Sequence, residues 1–326
     1  MLTIWRELMR LTKLPVRAVL ACALLFTFPA QPLADTLADA ERAYRLRDYE
    51  KAAALLRPLA ENGIVSAQSD LGTLYSKGQG VTQNYKEAAK WFRLAAEESD
   101  AHSQYNLGLQ YENGQGVPQN YEEAINWYQL AANQDSALAQ LNLGTIYYLG
   151  RGAPQDYKEP MKWYLLAAEQ NVALAKLNIG HMYAKGQGVE QDDNTAAEWY
   201  ALAAEQGHVL GQFNLGVMYD KGLGVPQNHK EAAKWYLFAA IQGNASAQNN
   251  LAALLAQGVG VQHDYVFAHM WASVAAIDSE EQKKSAETRG LVEKLMSADQ
   301  IAEAQELAKK CIANKFKGCQ QKKLIK

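Results

Sequence analysis

Six of the seven tryptophans, Trp91, Trp127, Trp163, Trp199, Trp235 and Trp271, stand 36 residues apart with no insertion or deletion between them. An unbroken interval of this length marks tandem units, each too small to bury its own apolar face and therefore stacked on its copies. Other columns keep the same step. Gly78 and Gly80 recur as pairs down to Gly258 and Gly260, and Ala95-Ala96 recur down to Ala275-Ala276. Tyr75, Tyr111, Tyr147, Tyr183 and Tyr219 form another column, with Leu255 in the sixth place. The six units run over 64–99, 100–135, 136–171, 172–207, 208–243 and 244–279.

Each unit reads as two helices. Over 101–113, Leu107 and Tyr111 lie on one helical face beside Gly108, which has no side chain to hold off a neighbouring helix. Gly114 suits the left-handed residue that ends a helix, and Val117 can plug the following loop onto the core. Asn120 with Glu123 predicts the start of the second helix, and Asn84/Glu87, Asp156/Glu159 and Asn228/Glu231 repeat the arrangement. The second helix then carries Ala124, Trp127, Leu130 and Ala131 at packing positions. Pro160 falls in a first helical turn, where the missing N–H costs little.

The stretch YNLGLQYENGQGVPQNYEEAINWYQLAA, residues 105–132, resembles a Sel1-like repeat, a relative of the tetratricopeptide repeat with a longer unit and a Gly-x-Gly-Val loop. The resemblance covers 64–279 and implies an all-α fold, an α-solenoid in which helical hairpins stack as a right-handed superhelix. Ala153, Ala252 and Leu255 depart from the pattern. Residues 35–63 are expected as an N-terminal capping half-repeat, 280–313 as C-terminal capping helices with a capping box at Ser297 and Gln300, and 314–326 as a basic tail.

The chain opens with Arg6, Arg10, Lys13 and Arg17, then a largely apolar run eleven residues long from Ala18 to Phe28, then Pro29. A membrane-spanning helix needs about 20 apolar residues, so residues 1–34 are expected as an export signal, giving a periplasmic or secreted protein. Cys311 and Cys319 would then meet an oxidising compartment; a disulfide and two free thiols are both open readings.

The formal charge of −3 excludes a globally basic nucleic-acid binder. That total hides an asymmetry, because residues 307–326 carry seven lysines and no acid. The tail is either simply solvated or weakly attracted to an anionic envelope surface. No Ser-x-x-Lys, His-Glu-x-x-His, Gly-x-Ser-x-Gly or Walker loop occurs, so no catalytic residue, metal ligand or cofactor is expected. Cysteine-rich relatives within the resembling family are linked to β-lactam binding and hydrolysis, which makes an envelope enzyme of that kind the alternative. Those relatives have a cysteine pair in each repeat and this chain has none.

What remains is surface. Opposite the packed leucine and tyrosine columns of the first helices run Asn106, Asn142, Asn178, Asn214 and Asn250, with Asp70 at the head of the column. Beside them stand Leu138, Leu174 and Leu210, and Leu141, Leu177 and Phe213. The resemblance to tetratricopeptide proteins implies that this face lines a groove. An amide ladder flanked by apolar side chains suits a protein or peptide partner. Asparagines tied to neighbouring helices, with the leucines packed inside, are the competing reading of the same residues.

Overall fold

The computed structural model describes residues 33–277 and 282–319, and among them it contains sixteen helices and no strand. The expected export signal, apart from its last two residues, lies outside the described residues, as do residues 320–326 of the basic tail. No described helix is long and apolar enough to cross a membrane. The helices are α1 (Leu33–Arg45), α2 (Tyr49–Glu61), α3 (Val65–Lys77), α4 (Tyr85–Glu97), α5 (Ala101–Asn113), α6 (Tyr121–Ala132), α7 (Ala137–Leu149) and α8 (Lys158–Glu169). They continue as α9 (Ala173–Lys185), α10 (Asp193–Glu205), α11 (Val209–Lys221), α12 (His229–Ala240), α13 (Ala245–Gln257), α14 (Tyr265–Ala275), α15 (Gln282–Glu293) and α16 (Ala298–Ala313). The fold is an all-α solenoid. It divides into two compact units, Met1–Gln119 and Asn120–Lys326.

The helix ends follow from local chemistry. Gly78, Gly114, Gly150, Gly186, Gly222 and Gly258 each close a first helix with a positive φ between 63° and 68°. Asn84, Asn120 and Asn228 accept two backbone N–H bonds each and start α4, α6 and α12 as expected. The third unit differs. There α8 starts one residue late, at Lys158, with Tyr157 rather than Asp156 as its cap. In the other units the capping residue's carbonyl accepts from the nitrogen four residues on, as Asn120 does from Ala124 at 3.0 Å. The residue four after Asp156 is Pro160, which has no N–H to give. Asp156 still accepts from the Lys158 N–H at 2.8 Å.

The 36-residue step is held by three repeated contacts. In the first, a glycine of the first helix faces an aromatic ring of the second. A methyl on Gly144, Gly180 or Gly216 would stand 2.7 Å from the ring of Tyr164, Tyr200 or Tyr236 respectively. In the last unit Ala252 takes the glycine's place and Ala272 the ring's, and both are buried in the same core. The second contact is made by the second glycine of each loop. Gly188, Gly224 and Gly260 press against the backbone of Tyr157, Asp193 and His229, at the start of the preceding unit's second helix. The third is a buried glutamine column that the sequence reading missed. Gln68, Gln104, Gln140, Gln212 and Gln248 donate to the carbonyls of Ala60, Ala96, Ala132, Ala204 and Ala240 at 3.0–3.3 Å. Each supplies a donor to a last-turn carbonyl that its own helix leaves open.

Trp91, Trp163 and Trp271 are buried; Trp127, Trp199 and Trp235 are half-buried. Leu130, expected at a packing position, is exposed. The loop valines Val81, Val189, Val225 and Val261 rest against the cores, as expected of the plug. The segment 35–63, expected as a half-repeat cap, is a full helical pair, α1 and α2, joined by Leu46-Arg47-Asp48 in place of the long glycine loop. At the other end α14 packs on both α15 and α16. The Ser297/Gln300 capping box is present, and Cys311 is bonded to Cys319, with their Cα atoms 5.3 Å apart.

Candidate functional site

The structure splits the predicted groove residues into two groups. Leu138, Leu174 and Leu210 are outward, with 50%, 40% and 45% of their surface exposed, one per unit along α7, α9 and α11. Leu141 and Leu177 are buried instead, and Phe213 leans into the core with its ring centroid 6.1 Å from that of Tyr236. The reason is helical pitch: a residue three positions further along turns about 300°, and here that carries the side chain to the edge facing the second helix. These three therefore support the face from beneath and do not line it.

The asparagines are half-buried and partly committed. Asn142 donates to the Tyr128 hydroxyl at 3.2 Å. Asn178 and Asn250 lie beside the hydroxyls of Tyr164 and Tyr236. Asn214 reaches Nε2 of His181 at 3.1 Å, and Asn106 bonds its own helix at the His102 carbonyl, 2.8 Å away. The rings of Tyr164 and Tyr236, and that of Tyr200 between them, are deeply buried. Burial pushes the Tyr164 hydroxyl up to about 12, and Tyr200 and Tyr236 up further, so all three are neutral phenols at physiological pH.

Within this stretch lies a cavity of about 190 Å³, bordered by Thr145, Tyr148 and Leu149 of α7, Tyr164 of α8, and Asn178 and His181 of α9. Thr145 donates to the Leu141 carbonyl at 2.9 Å and accepts from Tyr164 at 3.2 Å. Tyr148 donates to Gln187 at 2.8 Å. The His181 ring stands edge-on to Tyr200, with centroids 5.6 Å apart. Nothing in the sequence reading singled out His181, which shares its column with Thr145 and Val217 and so gives no repeated signal.

Two groupings combine serine, histidine and carboxylate. Ser69 lies 2.9 Å from Asp100 and 3.1 Å from His102, but Ser69 is buried and Asp100 is engaged in capping α5. His269, fully buried, is 2.9 Å from Glu293 and joins α14 to α15. Both read as ties between helices. Among the described residues no group of three or more His, Cys, Asp or Glu is gathered as metal ligands.

Comparison with known proteins follows the same register. The Sel1 repeat model matches seven times, at 37–64, 65–100, 101–136, 137–172, 173–208, 209–244 and 245–277. The first match covers the segment expected only as a cap. A Sel1 repeat protein from Oxalobacter formigenes is 35% identical, with a TM-score of 0.67, covering 74% of this chain and 96% of its own. The protein c5321, a protective antigen of uropathogenic Escherichia coli strains with an SLR fold, is 23% identical with a TM-score of 0.60, covering 87% of this chain and 93% of its own. No curated protein matches the sequence. Seven matched repeats spanning most of the described helices, on a shared solenoid fold, place the chain in the Sel1 repeat family, whose members are in general non-enzymatic protein-interaction scaffolds.

Proposed function

We propose that this chain is an exported, non-enzymatic scaffold that binds a protein or peptide partner along the free face of α7, α9 and α11. The observation that carries this reading is the row of exposed leucines, Leu138, Leu174 and Leu210, repeated in register beside the asparagine ladder. Burying that row against a partner would contribute about 25 cal/mol per Å² of apolar surface removed from water. The asparagines add polarity: a carboxamide has two N–H donors and an acceptor oxygen, so one internal bond leaves capacity for a peptide backbone.

Placing a photo-crosslinking residue at Leu174 should trap a partner, while the same residue at Leu202, exposed on the second helix α10, should not. The double substitution Asn142→Ala, Asn178→Ala should then weaken capture at least several-fold. Tyr164 keeps its bond to Thr145, so the stability cost is that of lost neutral hydrogen bonds, about 0.5–1.5 kcal/mol each. A double mutant that unfolds would make the asparagines structural. One that folds and captures as well as wild type would remove this stretch from the binding face.

Export is supported by the basic, apolar and proline-broken start and by the Cys311–Cys319 bond, which belongs to an oxidising compartment. The mature protein should begin between residues 31 and 35, near the Leu33 start of α1. N-terminal sequencing checks this, and recovery of the intact chain from the cytoplasm would refute it.

A further inference from the structure

The free face of α7, α9, α11 and α13 differs in charge from the helices behind it. Taken at helical spacings of four, three and four, it starts at Leu138, Leu174, Leu210 and Ser246 and ends at Leu149, Lys185, Lys221 and Gln257. None of these sixteen positions is buried, and none is Asp or Glu. The whole helices follow the same division. With histidines neutral, these four first helices carry three lysines and one aspartate, a net +2. The second helices α6, α8, α10, α12 and α14 carry four lysines and eight acids, a net −4. Within Asn120–Lys326 the two layers of helices are therefore of opposite sign.

The cations of the face are uncommitted. Lys185 and Lys221 hold the same place on α9 and α11, one unit apart, and both are exposed. Among the described residues neither makes an ion pair. Asp220, beside Lys221, is already 2.9 Å from His229, and Asp192 caps α10. Glu190 is exposed on the loop between α9 and α10 and belongs to neither layer. The third lysine, Lys176, is buried and bonded to Asn171 at 2.7 Å. Lysine in a last helical turn also complements the helix dipole. That role does not demand it here, since α7 and α13 carry Leu149 and Gln257 in the same place. Leu174 and Leu210 stand at the other margin, each eleven residues before the lysine of its helix and so about 16 Å from it along the axis. The asparagine row runs between the two margins.

We propose that this face takes an acidic amphipathic segment of a partner protein, its apolar edge on Leu174 and Leu210 and its carboxylates toward Lys185 and Lys221. This deepens the groove reading and rests on it. Burial of the apolar edge supplies most of the affinity, because exposed ion pairs contribute little. The lysines supply choice and orientation. A basic segment with the same apolar edge would be repelled by two unpaired cations. The acidic layer of second helices repels an acidic segment, so the difference in sign confines the partner to one side of the row of helices. Both effects are exposed to solvent and weaken as salt rises.

The test titrates the full chain with a fluorescein-labelled peptide, four repeats of Glu-Leu-Ala-Glu, and with its counterpart carrying Gln for every Glu, read by fluorescence anisotropy. At low salt the glutamyl peptide should bind about fivefold more tightly, the expectation for two exposed ion pairs, and the advantage should shrink below about twofold near 0.5 M salt. Lys185→Glu with Lys221→Glu should weaken the glutamyl peptide by about tenfold. Lys158→Glu with Lys230→Glu makes the same change of charge at exposed positions of α8 and α12, and should alter binding less than about twofold. Lys185→Gln with Lys221→Gln places no acid at a helix end, and should abolish the preference between the peptides while the melting temperature holds. Equal binding of the two peptides, equal losses in the two reversed pairs, or no saturable binding of the glutamyl peptide would overturn the proposal. If the peptides bind equally and both crosslink to the probe at Leu174, the groove reading stands and the acidic preference alone fails.

Discussion

Gly224→Ala should destabilise Asn120–Lys326 by more than about 3 kcal/mol, the combined cost of left-handed strain and overpacking. Gly224 has φ +66°, and a methyl there would overlap the carbonyl of Asp193. Backbone at the start of α10 cannot swing aside as a side-chain tip can. Two companions separate the causes. Gly207 has φ +80° with nothing within 4 Å of a new methyl, so Gly207→Ala reports conformational strain alone, about 1–2 kcal/mol. Gly222, with φ +68° and the Gln227 Cβ 3.1 Å from the new methyl, should fall between. Urea denaturation of the three variants gives the order directly. If Gly224→Ala costs no more than Gly207→Ala, the close approach of loop to helix does not hold the repeats in register.

Trp163→Ala should cost about 3–5 kcal/mol, the range for truncating a buried large aromatic. The side chain is only 3% exposed, and Lys162 places its ammonium 4.6 Å from the ring centroid, so the substitution also removes a cation–π contact. The indole N–H, however, has no acceptor within the described structure. Trp163→Phe discards that unpaired donor while keeping most of the buried surface, and should cost less than about half as much as alanine. Thermal melting of both variants is the check. An alanine variant that melts like wild type would mean the tryptophan column lies outside the core.

The repeat length and helix pairs were legible because their determinants are local: a glycine at each left-handed helix end, an asparagine at each start, apolar residues at helical spacing. The late start of α8 was not, since it depends on Pro160 denying a bond to the carbonyl of Asp156 four residues earlier. The glutamine column keeps the same 36-residue step as the tryptophans, so its existence could have been read; its role could not, because each partner carbonyl lies across a turn, eight residues back. The site was half legible. Of the residues facing away from Leu107 and Tyr111, Leu138, Leu174 and Leu210 are exposed, but Leu141 and Leu177 sit at the margin, where a small rotation decides between core and solvent. His181 was invisible because a cavity among three helices belongs to their packing and not to any one stretch of sequence.

Within Asn120–Lys326 each helix from α7 to α13 packs on the helices just before and after it in sequence, with α14 and α16 closing the row. Such a row behaves as a one-dimensional lattice, in which opening starts where a helix has one neighbour instead of two and advances as a front. At its C-terminal end the Cys311–Cys319 bond fixes α16 to the turn that follows it. Its sulfurs border the same hollow as Phe267 and Met270 of α14. The bond thus stiffens the last element of the row, and its reduction is expected to make α16 the first helix to fray from that end.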